Sequence, residues 1–185
     1  MRNALIVTLI LGLSACSGAG TDEAGTDTAR AGPPVVDGAV YEADPQPYDP
    51  ALDADAAIDA ALNKARAENK LVLVSMGGNW CPDCRVLSGM MAVDGLDDLI
   101  ARRFEVVKVD VGRPRADGGY ERNAQIAERF GVPDFEGVPT LLIVTPAGKL
   151  LNADEPSIFR NARDRNPQDL ADYLYRYAEQ TPQAG

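Results

Sequence analysis

Cys81 and Cys84 stand three residues apart, with Trp80 before them and Pro82 and Asp83 between them, and this spacing suits a thiol pair that opens and closes. Residues i and i+3 of a helix share a face with Cβ atoms about 5–6 Å apart, and the first turn can close a disulfide with Cβ atoms near ~4 Å. Pro82 suits the first helical position, so the cysteines are expected where a helix begins. Unpaired backbone N–H groups and the helix dipole favour an anion there, which predicts a lowered pKa and thiolate character for Cys81. Cys84, one turn inside, is expected to be the more buried, resolving thiol. Asp83 pulls the other way, because a carboxylate beside the site opposes a second negative charge. Pro82 and Asp83 thus tune the pair toward a reducing or mid-range couple.

Two other readings of the same pair stay open. Cys-x-x-Cys can be half of a zinc site, but such a site needs four ligands, and the chain offers no histidine and only Cys16 besides. The pair can also be an inert structural disulfide.

The apolar run Leu71, Val72, Leu73, Val74 reads as a buried strand, and the small and polar stretch 75–79 ends it before the cysteines. Upstream, Ala57, Ile58, Ala61, Leu62 and Ala65 have helical spacing over residues 53–69, with Asp53 or Asp55 placed to cap the start. Downstream, the cysteine helix is expected to reach about residue 91, with Met90 and Met91 read as core rather than as a surface for clients. A short helix over 96–103 leads into a second strand carrying Phe104, Val106, Val107, Val109 and Val111. A helix over 121–130 closes at Gly131. Thr140 to Val144 form a third strand, and the turn at Pro146, Ala147 and Gly148 predicts a hairpin partner over 149–152. Asn166 and Pro167 open a last helix with Leu170, Tyr173, Leu174 and Tyr177 on one face. Strands alternating with helices predict parallel pairing, and the closing hairpin adds an antiparallel edge, so the fold class is α/β with a central mixed sheet flanked by helices.

Length and composition bound the function. A chain of 185 residues, 45% hydrophobic, suits one domain plus an appendage. Eighteen basic against 28 acidic residues give a net charge of −10, which argues against nucleic acid as a partner. The lack of histidine removes Ser/His and Cys/His nucleophile pairs and most catalytic zinc sites.

At the amino terminus, Met1 and Arg2 precede an apolar stretch from Ala4 to Leu13, too short to span a bilayer and suited to a signal-peptide core. Leu13, Ser14, Ala15 and Cys16 resemble the lipobox of bacterial lipoproteins. The resemblance implies a signal peptide over 1–15 and a lipidated Cys16 anchoring the protein in the cell envelope, facing the periplasm; Ser17 favours the outer membrane. Residues 16–50, rich in Gly, Ala, Thr, Asp and Pro, are expected to form the lipidated terminus and a flexible linker. An alternative gives Val35, Val36, Val40 and Tyr41 a short edge strand. The domain proper is then 51–185.

The order of elements, the Trp80–Arg85 neighbourhood and the stretch Gly137, Val138, Pro139, Thr140 together resemble the thioredoxin superfamily over about residues 52–179. The resemblance implies that Cys81 attacks a substrate disulfide and Cys84 releases the mixed disulfide, with neither metal nor organic cofactor. It further implies that Trp80 shapes the contact surface, and that Pro139 is a cis-proline facing the cysteines. Val138 would offer backbone hydrogen bonds to an extended substrate segment. Ser75 departs from the pattern, since thioredoxin has a buried aspartate six residues ahead of the first cysteine. Arg113, Arg115 and Tyr120 border the site in the family's layout but read as a solvated loop, and Arg160, Arg163 and Arg165 as a solvated surface.

The expectation is an envelope thiol–disulfide oxidoreductase, a monomer that reduces or exchanges disulfides of envelope proteins and draws on a redox donor. The alternatives are a non-catalytic thioredoxin-fold binding module and a specialised thiol donor in cytochrome c maturation.

Overall fold

The computed structural model describes residues 32–133 and 137–180. The expected signal peptide, Cys16 and the first part of the linker lie outside the described residues. Among the described residues no helix is long and apolar enough to cross a membrane.

Helix α1 (Ala54–Glu68) opens at Asp53, whose carboxylate accepts the Ala56 N–H at 3.0 Å, and closes at Asn69 in the left-handed region, φ 54°. Its buried stripe is Ala54, Ile58, Ala61 and Ala65. Strand β1 (Leu71–Gly77) is buried at all seven positions because it is the central strand. It pairs in parallel with β2 (Phe104–Asp110), Leu71 opposite Phe104 and Gly77 opposite Asp110, and antiparallel with β3 (Thr140–Val144), Val74 opposite Leu142. The order β2-β1-β3 makes the sheet mixed, as expected. Helices α2 (Pro82–Met90) and α3 (Leu96–Arg103) connect β1 to β2, a short α4 (Gln125–Arg129) lies between β2 and β3, and α5 (Pro167–Ala178) closes the chain. Asn166 and Asp169 form a reciprocal capping box at the start of α5, with Pro167 as its first residue.

Period-two alternation along β1 builds two core layers. Leu71 and Leu73 join Leu141 and Ile143 against Leu87 and Met90 of α2, Leu96 of α3 and Leu170 and Leu174 of α5. Val72, Val74 and Met76 face Val107, Val109 and Leu142 under Ile58 of α1 and Ile126 of α4. Met90 and Met91 belong to the first layer.

Three expectations need correction. The packed unit begins at Gly32, not at residue 51. Residues 34–50 form a strap without regular secondary structure, from which Val36 and Tyr48 are buried at 5% and 3% exposure. The Gln168 side chain holds its first part, accepting from the Val36 N–H at 2.8 Å and donating to the Pro34 carbonyl at 3.1 Å. Farther on, a Cβ at Gly89 of α2 would overlap the Glu42 carbonyl, so glycine there admits the strap's backbone. No edge strand forms over 35–41; Val35 and Val40 stay exposed.

The hairpin after β3 is reduced to one bridge, Val144 with Leu150. Asn152 supplies the missing pairing with its side chain, accepting from the Ile143 N–H at 2.8 Å and donating to the Leu141 carbonyl at 2.7 Å. The helix expected over 121–130 shrinks to five residues, because Arg122 and Asn123 are drawn back to Asp110: the Arg122 guanidinium bonds its carboxylate, and Asn123 donates to its carbonyl at 2.9 Å.

Candidate functional site

The site lies at the C-terminal end of β1. Gly78, Asn79 and Trp80 carry the chain from the strand to Cys81, whose N–H donates to the Gly78 carbonyl at 3.0 Å. Cys81 is the N-cap of α2, with extended backbone, and its Sγ accepts the Cys84 N–H at 3.2 Å. Pro82 takes the first turn, where its missing N–H costs nothing. Both thiols are free; Cys84 is fully buried, and Cys81 keeps 4% exposure, so such access as the pair offers lies with Cys81.

The two sulfurs are electrostatically unequal. The Cys84 thiol hydrogen-bonds to Cys81 and holds its pKa below the ordinary thiol value; burial opposes this, the Cys84 backbone N–H assists, and the Asp83 charge opposes. Cys84 is pushed far up, first by that same bond to Cys81, then by burial. One proton between two sulfurs therefore stays with the inner one.

Asp83, whose charge opposes the Cys81 thiolate, is not a lone charge. Its Oδ1 accepts from the Arg163 backbone N–H at 3.0 Å and from Arg163 Nε at 3.2 Å. Arg163 sits in a 3-10 turn (Ala162–Asp164); it is solvent-exposed, as expected, and through Asp83 it is also tied to the site. Arg165 lies over the Phe159 ring at 5.2 Å. Arg160 packs on Gly137, where a Cβ would come within 2.8 Å of its guanidinium.

The Val138–Pro139 bond is cis, and Val138 and Trp80 both pack against the buried group of Tyr48, Cys81 and Cys84. Thr140 holds this turn through its hydroxyl, which donates to the Gly137 carbonyl at 2.7 Å. Trp80 is half-buried, its Nε1 donating to the Gly112 carbonyl at 2.6 Å and its ring lying on Gly78. Beside it runs an open groove lined by Pro47, Tyr48, Asn79, Trp80 and Arg113. Arg113 and the half-buried Tyr120 therefore border the site, whereas Arg115 is bound to Asp117 on the exposed loop.

Sequence reading missed Tyr48. It reaches the sulfurs from the strap, held by Asn79, which accepts the Tyr48 N–H at 3.0 Å and donates to the Tyr48 carbonyl at 2.9 Å. Its hydroxyl lies 3.2 Å from Ser75 Oγ, itself buried at 3% exposure. So the position where thioredoxin has aspartate is filled here by two hydroxyls. The one available signal was a lone aromatic within Pro47, Tyr48, Asp49, Pro50.

A thioredoxin-like family matches residues 53–146 of this chain. Among solved structures, a disulphide isomerase from Xylella fastidiosa Temecula1 is similar at 32% identity and a TM-score of 0.64, over 71% of this chain and 96% of that one. Among curated proteins, probable nucleoredoxin 3 of Oryza sativa subsp. japonica is 26% identical over 100 residues, 46% of this chain. The match spans 21% of the length of that relative. Tyr48 lies outside the residues that match the family.

Proposed function

Because the chain belongs to the thioredoxin-like family, we propose that it is a thiol–disulfide oxidoreductase working through Cys81 and Cys84. The observation that carries this reading is the placement of Cys81 as the N-cap of α2, where it accepts the Cys84 N–H and is the more acidic of two unequal thiols. Thiolate is the attacking species in exchange, and only Cys81 is poised to be one.

In the reducing direction, the Cys81 thiolate attacks one sulfur of a client disulfide. The client S–S bond breaks, a Cys81–client bond forms, and the second client sulfur leaves as a thiolate. Cys84 then attacks Cys81, its proton passing to the departing client sulfur. The client leaves with one thiol and one thiolate, which takes a proton from water to give the dithiol, and the Cys81–Cys84 disulfide carries the two electrons' worth of oxidation. A redox donor must restore the pair. Val138, which precedes the cis-proline Pro139, and Trp80 both pack against the cluster that holds the sulfurs, which suits an extended client segment laid along them.

The proposed setting is the cell envelope. Residues Leu13 to Cys16 motivate a lipid anchor on Cys16, with the domain facing the periplasm and envelope proteins as clients. Mass spectrometry of the mature protein checks this; an unmodified Cys16 or a terminus elsewhere overturns it. Insulin reduction with dithiothreitol tests the activity: the wild type accelerates precipitation and Cys81→Ser does not. Equal rates for the two refute the proposal.

The 4% exposure of Cys81 favours a second reading, a non-catalytic binding module whose pair is locked as a structural disulfide. A reduction potential below about −300 mV selects that reading over the first.

A further inference from the structure

The thiol–disulfide reading leaves one question open: how the fully buried Cys84, packed against Tyr48 and Cys81, becomes a nucleophile. Burial opposes an isolated thiolate strongly unless something hydrogen-bonds to it. Resting on that reading, we infer that Tyr48 is a further functional residue of the site, its hydroxyl, oriented by Ser75, donating a hydrogen bond to the Cys84 sulfur as that sulfur turns into a thiolate in the resolving step.

Geometry carries this. Tyr48 Oη and Cys84 Sγ meet across Gly77, the last residue of β1: a Cβ built there would overlap the hydroxyl and lie 2.9 Å from the sulfur. Tyr48, Cys81 and Cys84 form one buried cluster. On its other side the Tyr48 hydroxyl has Ser75 Oγ at 3.2 Å, and either oxygen can donate. A phenol and a serine hydroxyl each have one proton and free lone pairs, so the chain Cys84–Tyr48–Ser75 can run in either direction. In the mixed disulfide, where Cys81 is bonded to the client and no longer takes the Cys84 proton, the protonated Cys84 thiol can donate to Tyr48 and Tyr48 to Ser75. With Cys84 ionised, both hydroxyls rotate and Tyr48 donates to sulfur. Asn79 fixes the backbone of Tyr48 on both sides, so the phenol is held in place for this.

Tyr48 acts as a donor and not as a base. Burial pushes its own pKa well above the ordinary tyrosine value, and the neighbouring Cys84 charge adds to this, so it keeps its proton throughout. The balance of the step is unchanged. The Cys84 proton goes to the departing client thiolate, the Cys81–Cys84 bond forms as the Cys81–client bond breaks, and Tyr48 exchanges neither proton nor electron.

The test uses the reduced full chain carrying Cys16→Ser, so that only the pair reports, mixed with 5,5′-dithiobis(2-nitrobenzoate) in a stopped-flow instrument. The first release of thionitrobenzoate follows attack by Cys81, and the second follows resolution by Cys84. Tyr48→Phe keeps the ring and removes the hydroxyl; the first phase should stay within about twofold and the second slow about tenfold or more, as expected for losing a hydrogen bond to a charged group. Ser75→Ala should slow the second phase severalfold, and the double variant no more than Tyr48→Phe alone. Far-UV circular dichroism checks folding, and if Tyr48→Phe fails to fold, Ser75→Ala carries the test alone. A second phase that Tyr48→Phe leaves unchanged, or slows only in step with the first, overturns the inference while the oxidoreductase reading stands. A wild type that releases nothing at the pair sinks that reading itself.

Discussion

Asn79 and Asn152 perform the same act at two ends of β1's neighbourhood with different consequences. Each offers its amide to backbone groups that no neighbouring strand pairs, Asn79 to both groups of Tyr48 in the strap and Asn152 to the Leu141 carbonyl and the Ile143 N–H of β3. Asn152 is 1% exposed and also donates to the Tyr173 hydroxyl at 2.8 Å, so its partners have no access to water. Asn79 is half-buried at the groove beside Trp80, where water can replace it. The same amide is therefore structural in one place and, in the other, a means of holding a side chain against the reacting sulfurs.

Breaking that contrast should give effects of unequal size and kind. Asn152→Ala strands buried N–H and carbonyl groups, each costing about 1–3 kcal/mol. Urea unfolding should show a loss of about 3–5 kcal/mol, with thiol kinetics unchanged in the protein that remains folded. Asn79→Ala should cost only about 1 kcal/mol in the same measurement, because the freed groups can be solvated. It should nonetheless slow the second thionitrobenzoate phase severalfold by loosening Tyr48. Equal stability losses for the two variants would erase the distinction.

A smaller effect sharpens the electrostatic side. Cys81 has a lowered pKa, so its alkylation by iodoacetamide should persist below the pH at which an ordinary thiol falls silent, and decline as pH drops through the Cys81 value. Arg163→Ala leaves the Asp83 charge less compensated, which disfavours the thiolate and moves that midpoint upward. The rate at neutral pH should fall about twofold, and the difference should shrink at high salt, since Arg163 is exposed. An unmoved midpoint would mean that Asp83 does not feel its partner.

What the sequence disclosed follows from how far each signal reaches. The run at Leu71–Val74, the Cys81–Cys84 spacing with Pro82, and the caps at Asp53 and Asn166 are local patterns, and each element stands where it was expected. Tyr48 meets Ser75 across 27 positions and Asp83 meets Arg163 across 80, and no periodicity connects such pairs. The strap was hidden for a related reason. It buries Val36 and Tyr48, twelve positions apart, and gains its place from Gln168, Asn79 and the gap at Gly89, all of which belong to other elements. Asn152 was hidden because a polar side chain in a hairpin reads as a turn, not as a substitute for a strand.

The strap also bears on how the sheet meets other molecules. Strand β2 has a ladder partner on one side alone among the described strands, and an unpaired rim of main chain invites a foreign strand to extend it. Alongside that rim, Pro47 and Asp49 line a shallow trough with Glu105, Val106 and Lys108, while Asp44 pairs with Lys108. Prolines cannot donate to a ladder, and charges resist burial against one. The segment that brings Tyr48 to the sulfurs thus also sets a proline and charged side chains beside the open border, features that discourage a foreign strand from pairing there.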